Sequence, residues 1–186
     1  MDVKGMAFMA RRALVEREHG AAKFDEVVRA IAKTEAIFRS PVLATTKIPM
    51  GSFMRFNQAL IDTLYNGDQK ANFALGEQSA DYALNGPYKH FVTNRSIDAF
   101  VGSAPSMYKN YFDEGEAKAE RRGRDVNLEL FDIPAAYRCL YIEYGIMGYF
   151  RRGLEMVSGG MTKMTAKKGF SKGDDAVLYV FELTNV

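Results

Sequence analysis

The stretch that decides the fold is GEAKAERRGRDVNLELFDI, residues 115–133, because the spacing of apolar residues changes there. In the chain before it, apolar residues recur every three to four positions, which is typical of α-helices. Within it, Val126, Leu128 and Leu130 alternate with polar residues, and Gly123 stands where a turn would join two strands. This stretch therefore predicts a β-hairpin that follows a helical N-terminal part.

A second hairpin is predicted at the end of the chain, with strands over about residues 161–167 and 175–184. The segment between them, GFSKGDD, contains Gly169 and Gly173. Because glycine adopts backbone conformations that other residues avoid, we expect both glycines to give the turn its freedom. The final strand is almost continuously apolar and is expected to close the sheet.

Helices account for most of the remaining chain. The longest is predicted over residues 135–158, between the two hairpins, where Pro134 introduces it. Further helices are predicted over residues 4–19, 23–38, 52–65 with Ser52 as its N-cap, 69–85 and, in short pieces, 88–112. The order of elements predicts an α+β fold, in which N-terminal helices precede an antiparallel four-stranded sheet made of a β-hairpin, a long helix and a second β-hairpin.

Composition indicates one globular domain over residues 1–186, since 47% of the residues are hydrophobic and 26% are charged. The net charge of +2 is spread along the chain, so no nucleic-acid partner is expected. No apolar run is long enough for a membrane span, and charges beyond Met9 exclude a signal peptide. Cys139 is the single cysteine, which fits a reducing compartment. We therefore expect a cytoplasmic protein.

Glu143 is the most unusual residue of the long predicted helix. At 100° per residue it projects from the middle of the apolar face, between Leu140 and Met147. A carboxylate in such a place is costly unless it is paired, hydrogen-bonded or protonated. Two interpretations are open: Glu143 orients a ligand in a pocket, or it forms an internal salt bridge or lies partly exposed under a loop.

Asn57 raises a similar question, because it stands among apolar residues of the predicted helix 52–65. An amide there either fixes a neighbouring loop or, together with Glu143, supplies the few polar groups of a mostly apolar pocket. Tyr144 flanks the apolar face of the long helix and suits either a pocket mouth or a subunit interface. The candidate ligand-binding residues are Glu143, Asn57, Tyr144, Met147, Phe150 and Tyr111.

No catalytic, metal-ligating or cofactor-binding residue is predicted. His19 and His90 are the only histidines, and they stand far apart in sequence. Cys139 falls on the apolar face of the long helix and is expected to be a buried structural thiol. The sequence contains no nucleophile motif, phosphate loop, dinucleotide-binding fingerprint or zinc-ligand spacing.

Several segments resemble known proteins. KGMAFMARRALVEREHG, SPVLATTKIPMGSFMRFNQALIDTLYNGD, SADYALNGPYKHFV and YKNYFDEGEAKAERRGRDVNLELFDIP resemble a family of uncharacterised proteins from myxobacteria and related delta-proteobacteria. The last third, CLYIEYGIMGYFRRGLEMVSGG followed by KGFSKGDDAVLYVFEL, is similar to the superfamily of 4-vinyl-reductase-like sensor domains.

This resemblance implies an α+β domain of a bacterial regulatory protein, with a buried pocket between sheet and helices. Relatives include effector-sensing domains of aromatic-responsive transcription activators and subunits of the TRAPP tethering complex, and dimers are common among them. Haem-based nitric oxide sensors are similar in overall shape.

Two departures from these relatives limit what carries over. The metal-binding relatives have cysteines around the final turn, where this chain has Gly169 and Val177. The haem-binding relatives use a Tyr-x-Ser-x-Arg motif with a proximal histidine, and that motif is missing here. The resemblance therefore implies neither zinc nor haem, and no cofactor is predicted.

We expect a non-enzymatic, cytoplasmic ligand-binding or signalling domain with an apolar pocket between the long helix and the sheet. The expected partners are a small apolar or aromatic ligand and either a second copy of the chain, as a homodimer, or a regulatory protein. One alternative is a protein-interaction and dimerisation module without a pocket, whose sign would be exposed Tyr and Met patches. Another is a small enzyme that uses Glu143.

Overall fold

The computed structural model describes residues 1–160 and 162–184. Its helices are α1 (Met6–His19), α2 (Ala21–Ile31), α3 (Met50–Tyr65), α4 (Ala71–Leu84), α5 (Ile97–Gly102), α6 (Ala104–Lys109) and α7 (Leu140–Ser158). Its strands are β1 (Asp2–Lys4), β2 (Lys47–Pro49), β3 (Glu116–Arg122), β4 (Asp125–Phe131), β5 (Thr162–Lys168) and β6 (Val177–Leu183).

The main sheet has four antiparallel strands in the order β3-β4-β6-β5. β4 and β6 are its central strands, and their alternate side chains are buried, with Val126 opposite Phe181 and Leu128 opposite Tyr179. This alternation puts one face of the sheet into the core, while the other face is half-buried or exposed. The predicted α+β fold, with two hairpins separated by the longest helix, is confirmed.

A second, two-stranded sheet pairs β1 with β2 and was not predicted from the sequence. Each strand is three residues long, and Val3 pairs with Ile48 while also forming a bridge to Phe112. Both Val3 and Ile48 are fully buried. A three-residue strand is too short for alternation to be recognised, so only the contact between distant segments defines it.

The boundaries of two predicted helices were wrong. The helix predicted over 23–38 ends at Ile31, and a short 3-10 helix, Ala36–Arg39, follows after a break. The helix predicted over 135–158 begins only at Leu140, because Cys139 has an extended backbone with φ −142° and ψ 162°.

Two side chains of these regions also differ from their predicted roles. Cys139 is the half-buried N-cap residue of α7 rather than a member of its apolar face. Ser52 does not cap α3, which begins at Met50; the Ser52 hydroxyl instead donates a 2.6 Å hydrogen bond to Glu35 Oε2. The predicted strand over 161–167 begins with Met161, which lies outside the described residues, and β5 follows from Thr162.

The helices α4 and α7 pack with their backbones in contact. A Cβ atom added at Gly76 would lie 2.9 Å from the carbonyl carbon of Gly145 and closer still to its oxygen. A Cβ atom added at Gly148 would lie 3.0 Å from the carbonyl carbon of Phe73. Ordinary side chains do not fit between the two helices, so the glycines are what allows this approach. Within the described residues, no helix is long and apolar enough to cross a membrane.

Candidate functional site

A cavity of about 70 Å³ lies where α1, α4, α6 and α7 meet the sheet. Its wall is mostly apolar and includes Ala7 of α1, Gly76 of α4, Met107 of α6, Leu128 of β4 and Phe150 of α7. The polar members of the wall are few and are contributed by arginine, serine and tyrosine side chains. An apolar cavity with a small number of polar groups is the usual form of a small-molecule site.

Arg11 is the charged residue of this wall, and only 3% of it is exposed. Its Nη1 donates a 2.8 Å hydrogen bond to the Leu75 carbonyl oxygen and a 2.9 Å hydrogen bond to Ser79 Oγ. Its Nε donates to Asn57 Oδ1 at 3.4 Å. Arg11 thereby ties α1 to α3 and α4 while it faces the cavity.

The positive charge of Arg11 has no counter-charge in the described part of the chain. Arg11 belongs to none of the ion pairs there. Besides its hydrogen bonds, its guanidinium makes a cation–π contact with the ring of Tyr141, whose centroid lies 5.6 Å from the guanidinium carbon. Burial lowers the pKa of the Arg11 guanidinium. Because arginine is the most basic side chain in proteins, Arg11 still carries its charge at neutral pH. The cavity therefore has a positive wall.

Two tyrosine hydroxyls of the same wall are buried beside each other and have no hydrogen-bond partner among the described residues beyond each other. They belong to Tyr111 and Tyr149, whose rings meet edge to face with centroids 5.7 Å apart. Burial raises the pKa of both phenols, so both stay protonated at neutral pH and can donate. A hydrogen bond between the two hydroxyls uses one of their two protons, so one donor is left without an acceptor, and burying such a group costs about 1–3 kcal/mol. A third hydroxyl, that of Tyr108, already donates to the Glu114 carbonyl oxygen at 2.9 Å.

The structure separates the candidate residues that were selected from the sequence. Phe150 and Tyr111 line the cavity. Asn57 is buried behind Arg11, where it accepts from Nε and donates its own 2.9 Å hydrogen bond to Asn72 Oδ1. Met147 is fully buried and Tyr144 half-buried on α7, and neither lines the cavity.

Glu143 is completely buried, but it faces the turn between β5 and β6 rather than the cavity. Its Oε2 accepts a 2.8 Å hydrogen bond from the Ser171 backbone N–H. Its Oε1 accepts from the Ser171 hydroxyl at 2.8 Å and from the Tyr179 hydroxyl at 2.7 Å. Glu143 and Asn57 therefore have different hydrogen-bond partners. Glu143 lies under a loop, but it is fully buried there rather than partly exposed as expected.

Gly169 has a role other than the predicted one. Its φ of −170° is ordinary extended backbone, whereas Gly173, with φ 83°, does supply the left-handed conformation of the turn. A Cβ atom at Gly169 would lie 2.9 Å from the carboxyl carbon of Glu143 and closer still to Oε1. Gly169 therefore allows the turn to close over the carboxylate.

Arg11 was missed because the sequence places it beside Arg12, among the charged residues expected on the outer face of α1. One signal could have identified it. Arg11 lies four residues after Ala7, three before Leu14 and four before Val15, and all three of these residues are buried. This spacing puts Arg11 on the same buried stripe of the helix.

Solved structures resemble this chain over nearly its whole length. An H-NOX protein from S. oneidensis in the Fe(II)NO ligation state has a TM-score of 0.73 and 12% sequence identity, covering 98% of this chain and 99% of that one. An unliganded Fe(II) H-NOX protein from K. algicida has a TM-score of 0.73 and 10% identity, covering 98% and 97%. A mutant of the S. oneidensis protein has a TM-score of 0.74 at 13% identity, covering 98% and 96%.

The chain has the H-NOX fold. At this level of identity the similarity establishes the fold alone. The expected likeness in shape to haem-based nitric oxide sensors is thereby confirmed. No family model matches the chain and no curated protein matches it, so the resemblance to the myxobacterial proteins and to 4-vinyl-reductase-like domains finds no support.

The residues of the cavity do not fit haem, the group that the fold implies. The two histidines, His19 and His90, are exposed and lie outside the wall, and Cys139 does not line it either. A phenolate could ligate iron, but burial raises the pKa of Tyr141 and Tyr149 and disfavours that form. A 150 Å³ cavity holds benzene, so about 70 Å³ is far too small for a porphyrin. Nor do the described residues contain a cluster of three His, Cys, Asp or Glu side chains that could hold a metal ion.

Proposed function

We propose that residues 1–186 form one non-enzymatic ligand-binding signalling domain, which binds a small, largely apolar molecule without haem in the cavity beside α7. The observation that carries this proposal is the cavity itself, with the Arg11 charge and the Tyr111 and Tyr149 hydroxyls buried in its wall without full complements of partners. A bound molecule would satisfy groups that are otherwise costly to bury.

The position of α7 supports a signalling role. Tyr149 and Phe150 place one side of α7 against the cavity, and Glu143 connects the same helix to the β5–β6 turn through Ser171. A molecule that displaces α7 would change the hydrogen bonds of that turn. The likeness of the fold to H-NOX proteins, one of which is described in an Fe(II)NO state, supports the same role by analogy of architecture.

The enzymatic alternative has less support. Glu143 is fully buried, its carboxylate is already held by Ser171 and Tyr179, and it does not line the cavity. A general acid or base must come within hydrogen-bond reach of its substrate. Among the described residues, the cavity wall includes no carboxylate, imidazole or thiol.

The interaction-module alternative also lacks a specific feature in its favour. The exposed large hydrophobic residues of the described chain are Leu43 and Tyr82, which lie on different segments. Tyr144, which was considered for an interface, is half-buried on α7. A homodimer, a regulatory protein partner and a cytoplasmic location remain predictions, and light scattering of the purified protein would test the first of them.

The test of ligand binding combines native mass spectrometry of the purified protein with thermal shifts in small apolar and aromatic compounds. A ligand at about 100 times its Kd should stabilise the fold by about 2.7 kcal/mol. Ala117 lines the cavity from β3, so A117L should fill it and abolish the shift. Ala119 lies on the same strand outside the wall, so A119L is the matched control and should keep the shift.

Two results would contradict the proposal. The first is a protein that shows no shift with any compound of either class and carries no small molecule in native mass spectra. The second is a shift that A117L and A119L leave equally intact, because the ligand would then bind elsewhere.

A further inference from the structure

The Arg11 guanidinium indicates the chemical class of the ligand, an inference that rests on the proposed function. Buried arginines are normally paired with a carboxylate or another anion, because an uncompensated charge loses its solvation. Arg11 is 3% exposed and has neutral partners only, namely Leu75, Ser79 and Asn57. The counter-charge is therefore missing from the described chain.

The hydrogen bonds of Arg11 show which part of the guanidinium is left for a ligand. Its Nε and Nη1 donate to groups on α3 and α4, which hold the side chain in place. Its Nη2 has no hydrogen-bond acceptor among the residues that the structure describes. A planar guanidinium fixed in this way leaves the two N–H groups of Nη2 for a ligand, so a carboxylate would pair with this one nitrogen rather than with the usual two-nitrogen fork.

The tyrosine hydroxyls supply the second, independent observation. Tyr111 and Tyr149 line the same cavity, and both are protonated donors at neutral pH. Their hydroxyls have no partner among the described residues beyond each other, so a contact within the pair still leaves one phenol donor for a ligand. A carboxylate accepts about four hydrogen bonds on two oxygen atoms, more than a single arginine nitrogen provides. An unused phenol donor beside an uncompensated cation favours an anionic oxygen acceptor over a neutral apolar molecule.

The size and composition of the cavity limit the rest of the ligand. A cavity of 150 Å³ holds benzene, and about 70 Å³ is roughly half of that. The wall around the polar groups is apolar, with Ala7, Met107 and Phe150 among its members. A ligand that matches both parts has one carboxylate and a short hydrocarbon chain.

We propose that the ligand of this domain is a short-chain monocarboxylate, of the size of acetate or propionate, whose carboxylate pairs with Arg11 inside the cavity. The apolar part of the ligand packs against α7, while the Tyr111 and Tyr149 hydroxyls are available as further donors. The site thus selects on charge at one end and on length at the other.

The experiment compares each acid with its neutral amide on the wild-type protein. Acetate, propionate and butyrate are titrated against acetamide, propionamide and butyramide at constant ionic strength, with binding followed by calorimetry and by amide chemical shifts. We expect at least one acid to bind about tenfold or more tightly than its amide, since charge-assisted hydrogen bonds are about twice as strong as neutral ones. Acids and amides of equal affinity would overturn the inference and leave the proposed function standing. Absence of binding by acids and amides, and by the small apolar and aromatic compounds as well, would overturn both proposals.

Two variants test whether Arg11 causes the preference for the acid over its amide. In R11Q the preference for the acid should disappear, and in the matched control R12Q, whose arginine is exposed and pairs with Glu16, it should persist. An acid preference that survives in R11Q overturns the role of Arg11. If circular dichroism shows that R11Q does not fold, R11K, which keeps the charge but loses the planar fork, replaces it. We expect the acid preference of R11K to fall without reaching zero, and an unchanged preference would contradict pairing through the guanidinium.

Discussion

Replacing Gly148 by alanine should separate α4 from α7 and destabilise the protein. The added Cβ atom would lie 3.0 Å from the Phe73 carbonyl carbon and 3.1 Å from the Glu77 amide nitrogen, and closer still to the Phe73 carbonyl oxygen. These atoms belong to the backbone of α4 and cannot rotate away. The ion pairs Arg151–Glu77 and Arg152–Asp81 hold the same two helices together and resist their separation.

The size of the effect follows from two opposing contributions. Alanine is favoured over glycine inside a helix by about 0.8–1.0 kcal/mol. Inserting a methyl group into a filled interface costs about 1–3 kcal/mol and sometimes more. Because the overlap at Gly148 involves rigid backbone, we expect the upper part of that range and a net loss of about 1–2 kcal/mol in the free energy of unfolding.

Gly145 of the same helix provides the matched control. A Cβ atom there would lie 3.7 Å from the Tyr141 ring, which is ordinary van der Waals contact. G145A should therefore gain helix propensity without strain and stabilise the protein by up to about 1 kcal/mol. Urea denaturation followed by circular dichroism gives both free energies by linear extrapolation. Equal stabilities of G148A and G145A would show that the backbones of α4 and α7 are not in contact.

Two further predictions concern buried and partly buried carboxylates. E143Q should lower the free energy of unfolding by about 2–3 kcal/mol, because the new NH₂ group would face the two donors of Ser171. The control E182Q, on the exposed side of β6, should change the free energy little. Equal losses for the two variants in urea titrations would contradict this prediction. Hydrogen bonds from Arg55 and Ser52 hold the pKa of Glu35 below its ordinary value of 4.5, so the stabilisation is complete above about pH 4.5 and is lost as the pH falls through the lower folded-state pKa. R55A should therefore lose less stability than the wild type between pH 6 and pH 3, and parallel curves would refute this linkage.

Local sequence patterns were sufficient for the main sheet and the long helix. Alternation along Val126, Leu128 and Leu130 defines β4 because that strand has one buried and one polar face. The same patterns could not indicate that β1 pairs with β2, since each strand has three residues and the two are more than forty positions apart. Nor could they place the start of α7, because the apolar spacing continues through residues 135–139 although that backbone is not α-helical.

The site depended even more on contacts between distant segments. The carboxylate of Glu143 was recognisable as unusual on an apolar face, and it is indeed fully buried. Its partners, Ser171 and Tyr179, are 28 and 36 residues away, so the sequence could not distinguish a ligand site from a loop contact. Arg11 was not selected from the sequence because its neighbours in sequence are charged, although the fold buries its side chain.

The order of strands in the main sheet affects how this protein can associate. β3 and β5 form its two edges, and edge strands are templates for pairing with other chains. Exposed charged side chains occupy both: Lys118, Glu120 and Arg122 on β3, and Lys163, Lys167 and Lys168 on β5. Bringing two β5 edges together would place lysines against lysines, and the irregular register near Ala166 would further interrupt a continuous ladder. Edge-to-edge pairing through β5 is therefore disfavoured.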